Sequence, residues 1–154
     1  MKKSYLQAAA CVALGACMAF ASTASAKTVE VQELNQGADG QSMVFSPMVV
    51  HISPGDSVHF VATDKGHGIA PIDGMTPAGG TEITGADNAD HTIKFTKQGV
   101  YGYQCKAHYG MGMVGLVVVG KPVNAAAAKT AADSAPFFAK NRLEKAFAEV
   151  DAKK

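Results

Sequence analysis

VYGYQCKAHYGMGMVGLVVV, residues 100–119, is two strand-like runs joined by a short loop. Val100 to Cys105 places Tyr101, Tyr103 and Cys105 on one face, as the period-2 pleat of a strand requires. Val114 to Val119 is an apolar run rich in β-branched residues, which fits a central strand packed on both sides. Between them, Cys105, His108 and Met113 bring thiolate, imidazole and thioether within nine residues of one another. That donor mix suits a copper living as both Cu(I) and Cu(II), because sulfur favours the reduced ion and imidazole tolerates either.

Working outward, the chain continues as short alternating runs. Thr28 to Leu34 sets Val29 and Val31 on one face and Glu30 and Gln32 on the other, the pattern of a half-buried strand. Asn35 to Ser42 is a Gly/Asp-rich turn, and Met43-Val44-Phe45 is a short strand cut by Ser46-Pro47. Met48 to Ile52 and Ser57 to Ala62 flank Ser53-Pro54-Gly55-Asp56 and read as a hairpin with His51 and His59 outward. Thr63 to Gly80 is loop-rich, and His91 to Phe95 alternates again before Lys97-Gln98-Gly99 turns into Val100. Seven or eight short strands with tight turns predict an all-β Greek-key β-sandwich over residues 27–123. From Pro122 the composition becomes Ala-rich, and residues 124–154 read as a C-terminal helical hairpin of two α-helices. Ser134 is placed to cap the second helix and Pro136 falls in its first turn. Phe138, Leu143, Phe147 and Val150 form a stripe that packs the hairpin on the sandwich.

Residues 1–26 read as a cleaved secretory signal peptide: Lys2 and Lys3 lead an apolar core from Leu6 to Ala21, closed by Ala24-Ser25-Ala26. Leu14-Gly15-Ala16-Cys17 resembles a lipoprotein processing site, but Met18 to Ala21 continue the apolar run instead of starting a polar tether, which favours simple cleavage. Removing the leader leaves 12 basic against 13 acidic residues, a balance offering nothing to nucleic acid. No other stretch is apolar enough to span a membrane. Of the three cysteines, Cys11 and Cys17 fall in the leader, so Cys105 is left alone in a chain bound for an oxidising compartment. A lone thiol there is protected by burial or by a metal.

Three equatorial donors need a second histidine. His51 and His59 point outward, and His91 opens a strand. His67, between Gly66 and Gly68 and 38 residues before Cys105, sits on a loop that can reach the end of the sandwich. The donors are then Cys105, His67 and His108, with Met113 as a long axial ligand. Taken singly, a cysteine or methionine is more often a packing residue and a loop histidine more often solvated. Four donors of matching softness, three of them on one loop, reverse that balance. Zinc is served poorly by one thiolate, two imidazoles and a thioether. Nothing beside Cys105 and His108 supplies the orienting group or oxyanion arrangement of a thiol hydrolase, so the chain is not read as an enzyme.

LNQGADG followed by MVFSP, HISPGDSVHF, TDKGHG, GMTP, GVYGYQC and HYGMGMVG together resemble the type 1 blue copper proteins, the cupredoxin family, and within it the pseudoazurins. The resemblance covers nearly the whole chain after the leader. It implies a cupredoxin sandwich holding one type 1 copper ion on His67, Cys105, His108 and Met113. It also implies a monomeric periplasmic one-electron carrier with transient redox protein partners: a cytochrome-type donor and a denitrification-type reductase acceptor such as copper nitrite reductase. The alternative is a periplasmic copper-binding or delivery protein. The resemblance implies an electron exit at His108 through a partner-facing collar of Met43, Pro47, Gly110 and Met111.

Three departures from the family pattern carry expectations. Gly68 stands where the family usually has an asparagine tying the ligand loops together, which predicts weaker coupling. Ala107 stands where the family has proline, and its N–H is expected to reach the Cys105 sulfur. Around the exit only Lys65 and Lys106, with Lys97, remain as cations, while Gln36 and Ala38 stand where basic residues are common. That predicts modest electrostatic steering.

Overall fold

The computed structural model describes residues 25–153. The leader, with Cys17, lies outside the described residues except for Ser25 and Ala26. Eight strands form among the described residues: β1 (Thr28–Gln36), β2 (Ser42–Ser46), β3 (Val49–Ile52), β4 (Ser57–Val61), β5 (Ile69–Pro71), β6 (His91–Lys94), β7 (Gly99–Cys105) and β8 (Val114–Val119). They make two four-stranded sheets, β2-β1-β4-β6 and β3-β8-β7-β5. Two helices follow, α1 (Ala125–Ala132) and α2 (Phe137–Ala152).

Alternation along the central strands creates two cores. Tyr101, Tyr103, Cys105, Val117 and Val119 face Val31, Phe45, Val58 and Phe60 across the sandwich. Val100, Val114, Leu116 and Val118, on the opposite faces of the same strands, pack against the helices. All six residues of β8 are therefore buried, as an apolar run with no polar face requires.

The helical layer corrects two expectations. On α2 the buried stripe is Ala139, Leu143, Ala146, Phe147 and Val150, whereas Phe138 is 59% exposed. At 100° per residue, position 138 lies about 140° around the helix from 143, while position 139 lies only about 40° away. Ser134 does not cap α2: Pro136 holds the N-cap position and no side chain caps it. Before α1, the Asn124 amide accepts from Val100 N–H at 2.7 Å and donates to Val100 C=O at 2.9 Å. It thereby satisfies a backbone pair at the start of β7.

The segment read as a hairpin from Met48 to Ala62 is instead a crossing between sheets. β3 runs parallel to β8, while β4 runs parallel to β1 and antiparallel to β6. Gly55, at φ +100, turns the chain over, and its N–H bonds Phe95 C=O at 2.6 Å. The Asp56 carboxylate holds the bend by accepting from the N–H groups of Lys27 and Ser53. The alternation of Val50, Ile52, Val58 and Phe60 is the same for a hairpin and for a crossing, because either puts those four side chains inside.

If sandwich and helices are one folding unit, Leu143→Ala lowers the unfolding free energy by about 2–5 kcal/mol. Urea unfolding of this variant, followed by helix and tyrosine signals together, gives one coincident transition. Separate transitions contradict the shared core.

Candidate metal centre

The ends of β7 and β5 and the loop into β8 bring the donors together. Ile69 pairs with Cys105 in the β5–β7 register, which carries His67, two residues earlier, to the end of β7. The loop after Cys105 is stitched by its own backbone. His108 N–H reaches Cys105 C=O at 3.2 Å, and His108 C=O accepts from Met111 and Met113 at 3.0 and 3.1 Å. Cys105 N–H closes on Met113 C=O at 2.9 Å. Tyr109–Met111 form a single 3-10 turn, ended by Gly112 at φ +88. A Cβ at Gly112 would sit 3.0 Å from Phe138 C=O, so a glycine is needed both for that dihedral and for that space.

The result is a triangle of donor atoms. Cys105 Sγ lies 3.4 Å from His108 Nδ1 and 3.7 Å from His67 Nδ1, and the two Nδ1 atoms are 3.2 Å apart. The point equidistant from all three lies about 2 Å from each, close to ordinary metal–nitrogen and metal–sulfur bond lengths. Cys105 and His67 are fully buried, and His108 is half-buried. His67 is thus the more enclosed imidazole. Met113 is also fully buried, in the same core as Cys105.

Neighbouring groups prepare His67 to coordinate. Its Nε2 lies 3.0 Å from Asn35 Oδ1. An amide oxygen accepts, so Nε2 carries the proton and Nδ1 keeps the lone pair a metal requires. Asn35 is in turn fixed by its N–H donating to the Asp64 carboxylate at 2.7 Å. Burial lowers the His67 pKa below the usual histidine range, and neighbouring His108 lowers it further while Asp64 opposes. The neutral imidazole is the ligating form.

The histidine loop has a brace of its own. A Cβ at Gly68 would run into the Asp87 side chain, so the asparagine usual in the family would require Asp87 to move. Asn88, on the segment between β5 and β6, braces the histidine loop: its side-chain oxygen accepts from Gly66 N–H at 2.6 Å, and its own N–H donates to His67 C=O at 2.8 Å. Gly68 therefore does not leave the histidine loop unsupported. Ala107 is exposed, and the hydrogen-bonding partners of Cys105 Sγ among the described residues are the two imidazoles. The expected contact from Ala107 N–H is not made.

Around the rim, Met43 is half-buried, Pro47 and Gly110 are exposed, and Met111 is 50% exposed. Lys65 and Lys106 are exposed beside the ligand loops, with Lys106 Nζ donating to Gly85 C=O at 3.4 Å. Lys97 precedes β7, whereas the donors follow it, so about 20 Å of strand separates Lys97 from the site and it is removed from the rim. Sequence reasoning missed Arg142. Its guanidinium donates to the carbonyls of Met43, Gly112 and Ser42 at 2.6, 2.9 and 2.8 Å, clamping α2 to the ligand loop and to β2.

The sequence profile described as copper binding proteins, plastocyanin/azurin family, matches residues 31–120. The chain is 44% identical over 128 residues to a pseudoazurin of Methylorubrum extorquens AM1, covering 82% of this chain and 84% of that one. It is 43% identical over 140 residues to a pseudoazurin of Paracoccus pantotrophus, covering 90% and 94%. Its backbone superposes on a pseudoazurin structure from Sinorhizobium with a TM-score of 0.78 at 43% identity, covering 83% and 99%. The pseudoazurin structure from Methylobacterium extorquens AM1 gives 0.75 at 44% identity, covering 80% and 98%.

Asn35→Ala, which removes the acceptor that sets the His67 tautomer, weakens copper binding about 10- to 100-fold. Competition with a chelator of known copper affinity measures this. Unchanged affinity would show that the ring is oriented without Asn35.

Proposed function

The chain belongs to the plastocyanin/azurin family of copper-binding proteins, within its pseudoazurin branch, and on that premise we propose a periplasmic carrier that takes one electron from a cytochrome-type donor and passes it to a denitrification-type reductase such as copper nitrite reductase. It is a blue copper electron carrier with one type 1 copper and is not an enzyme. The observation that carries the copper-carrier reading is the triangle of Cys105 Sγ, His67 Nδ1 and His108 Nδ1, with sides of 3.2–3.7 Å. When bound, the metal supplies a one-electron couple; the protein supplies everything that makes the exchange fast and directed.

Cys105, His67 and His108 are the equatorial ligands in this reading, and Met113 is the axial thioether. Strand pairing, backbone bonds within the loop and the clamps from Asn35, Asn88 and Arg142 hold the donors in place. A rigid donor set leaves little nuclear rearrangement between oxidation states, which lowers the barrier to transfer.

His108, the half-buried imidazole, is the exit. Next to it the surface is apolar: Met111 is 50% and Phe138 59% exposed, and the two line a shallow pocket with Gly110, Ser42 and Arg142. Arg142 is engaged by three carbonyls, and Lys65 and Lys106 are the cations beside the ligand loops. Docking is therefore driven by apolar contact with little charge steering. Transience follows from a small rim, in keeping with the low end of interface sizes. No helix among the described residues is long and apolar enough to cross a membrane.

Stopped-flow electron transfer from the reduced protein to copper nitrite reductase tests this reading. The rate changes less than about threefold between low and high salt. Met111→Glu lowers it about tenfold with the visible spectrum unchanged, the loss expected from removing an apolar anchor. Transfer of the copper ion itself, in place of the electron, would point to a delivery protein.

A further inference from the structure

Glu33 has no part in the centre as described so far. It lies on β1, two residues before Asn35, and is 1% exposed. Neither carboxyl oxygen has a hydrogen-bonding partner among the described residues. One other buried side-chain oxygen is in that condition, the Tyr103 hydroxyl. Tyr103 is fully buried with its ring edge-on to Phe45 and Phe60, at centroid distances of 4.8 and 5.1 Å. Glu33 stands opposite Phe45 in the β1–β2 register.

The placement is specific to the metal centre. Tyr103 is two residues before Cys105 on the same face of β7, and Glu33 is two residues before the Asn35 that fixes His67. The two oxygen-bearing side chains thus form a layer about 7 Å beneath the donors, two residues along each strand. An apolar residue would occupy the Glu33 position at lower free energy, because a buried carboxylate without a partner loses its hydration uncompensated.

The charges around Glu33 do not neutralise it. Tyr103 faces it from β7, and His91 and Asp90 act on it from the start of β6. Asp87 acts from the preceding loop. Asp64 donates its N–H to Glu33 C=O at 3.0 Å. From β2 and β4 come only the rings of Phe45 and Phe60. Desolvation raises the Glu33 pKa to about 7, His91 opposing and Asp90 and Asp87 adding to the rise. Burial, reinforced by Glu33, drives Tyr103 far above the usual tyrosine range, so its hydroxyl stays protonated.

We propose that Glu33 is a proton-binding site coupled to the metal centre, so that reduction of this protein is accompanied by partial proton uptake there. The proposal rests on the electron-carrier reading. On reduction, a donor protein supplies one electron to the centre, and in the fraction of molecules whose Glu33 is thereby driven from ionised to protonated, bulk water supplies the proton that forms its O–H bond. On oxidation the acceptor takes the electron, that O–H bond breaks and the proton returns to water. The added negative charge strengthens proton binding at Glu33 about four- to fifteenfold, for charges roughly 10 Å apart at an effective dielectric of about 20–40. By reciprocity, protonation of Glu33 favours the reduced state by the same factor.

The test is spectroelectrochemistry of the copper-loaded full chain from pH 5.5 to 8.5, on either side of the Glu33 pKa of about 7, comparing wild type with Glu33→Gln and Glu33→Met. At fixed poise the wild-type ratio of reduced to oxidised protein falls about four- to fifteenfold with rising pH, and both variants lose that fall. A flat wild-type titration, or one equally steep in the variants, overturns the proposal. The reduced-minus-oxidised infrared spectrum of the wild type at neutral pH needs no variant to fold. It gains a protonated-carboxyl C=O band on reduction, and its absence overturns the proposal. A protein without thiolate-to-copper absorption would overturn the electron-carrier reading and this proposal with it, whereas a blue protein with a flat titration overturns this proposal alone.

Discussion

Two imidazole lone pairs and a sulfur held 3.2–3.7 Å apart repel one another until a cation lies between them, so the surrounding protein has to hold them there. Much of the local architecture answers that demand. Cys105 is pinned by strand pairing on both edges of β7, to β5 and to β8. His67 is gripped at both ends, its ring by Asn35 and its carbonyl by Asn88. His108 sits on a loop whose carbonyls close back on themselves, and Arg142 ties that loop to β2 and α2. The helical layer thus braces the ligand loop as well as covering the second sheet.

The same rigidity shapes electron transfer. Cys105 and His67 are buried, and on the proposed reading the half-buried His108 is the conducting edge at the surface. Around that edge the protein presents Met111 and Phe138, with few cations. Recognition through apolar contact suits partners that must bind, exchange one electron and leave.

How much of this could be read from residues alone varied with range. Three of the donors were legible because Cys105 and His108 share one loop and His67 is framed by glycines, and the structure gathers these three into one site. β8 was legible because a strand apolar on both faces can only be central. The crossing after Ile52 was hidden, since inward alternation serves either topology. Phe138 was misplaced by a helical stripe drawn one residue out of phase. Asn35 and Arg142 act across sequence separations of 32 and of 99 to 100 residues, for which no local pattern gives a signal. Asp87 stands in the space a side chain at Gly68 would need, a contact of which the residues alone give no sign. Glu33 follows Val29 and Val31 at the same period, so the alternation itself carried it inside, against the usual exposure of a carboxylate.

The central claim, that Cys105, His67 and His108 hold a type 1 copper poised for one-electron exchange, is tested most directly by visible and paramagnetic resonance spectra of the copper-loaded protein. The account predicts an intense thiolate-to-copper absorption with the narrow copper hyperfine splitting of a type 1 site, both lost on reduction and regained on reoxidation. A colourless Cu(II) protein, or one with the broad splitting of an ordinary tetragonal site, would contradict it.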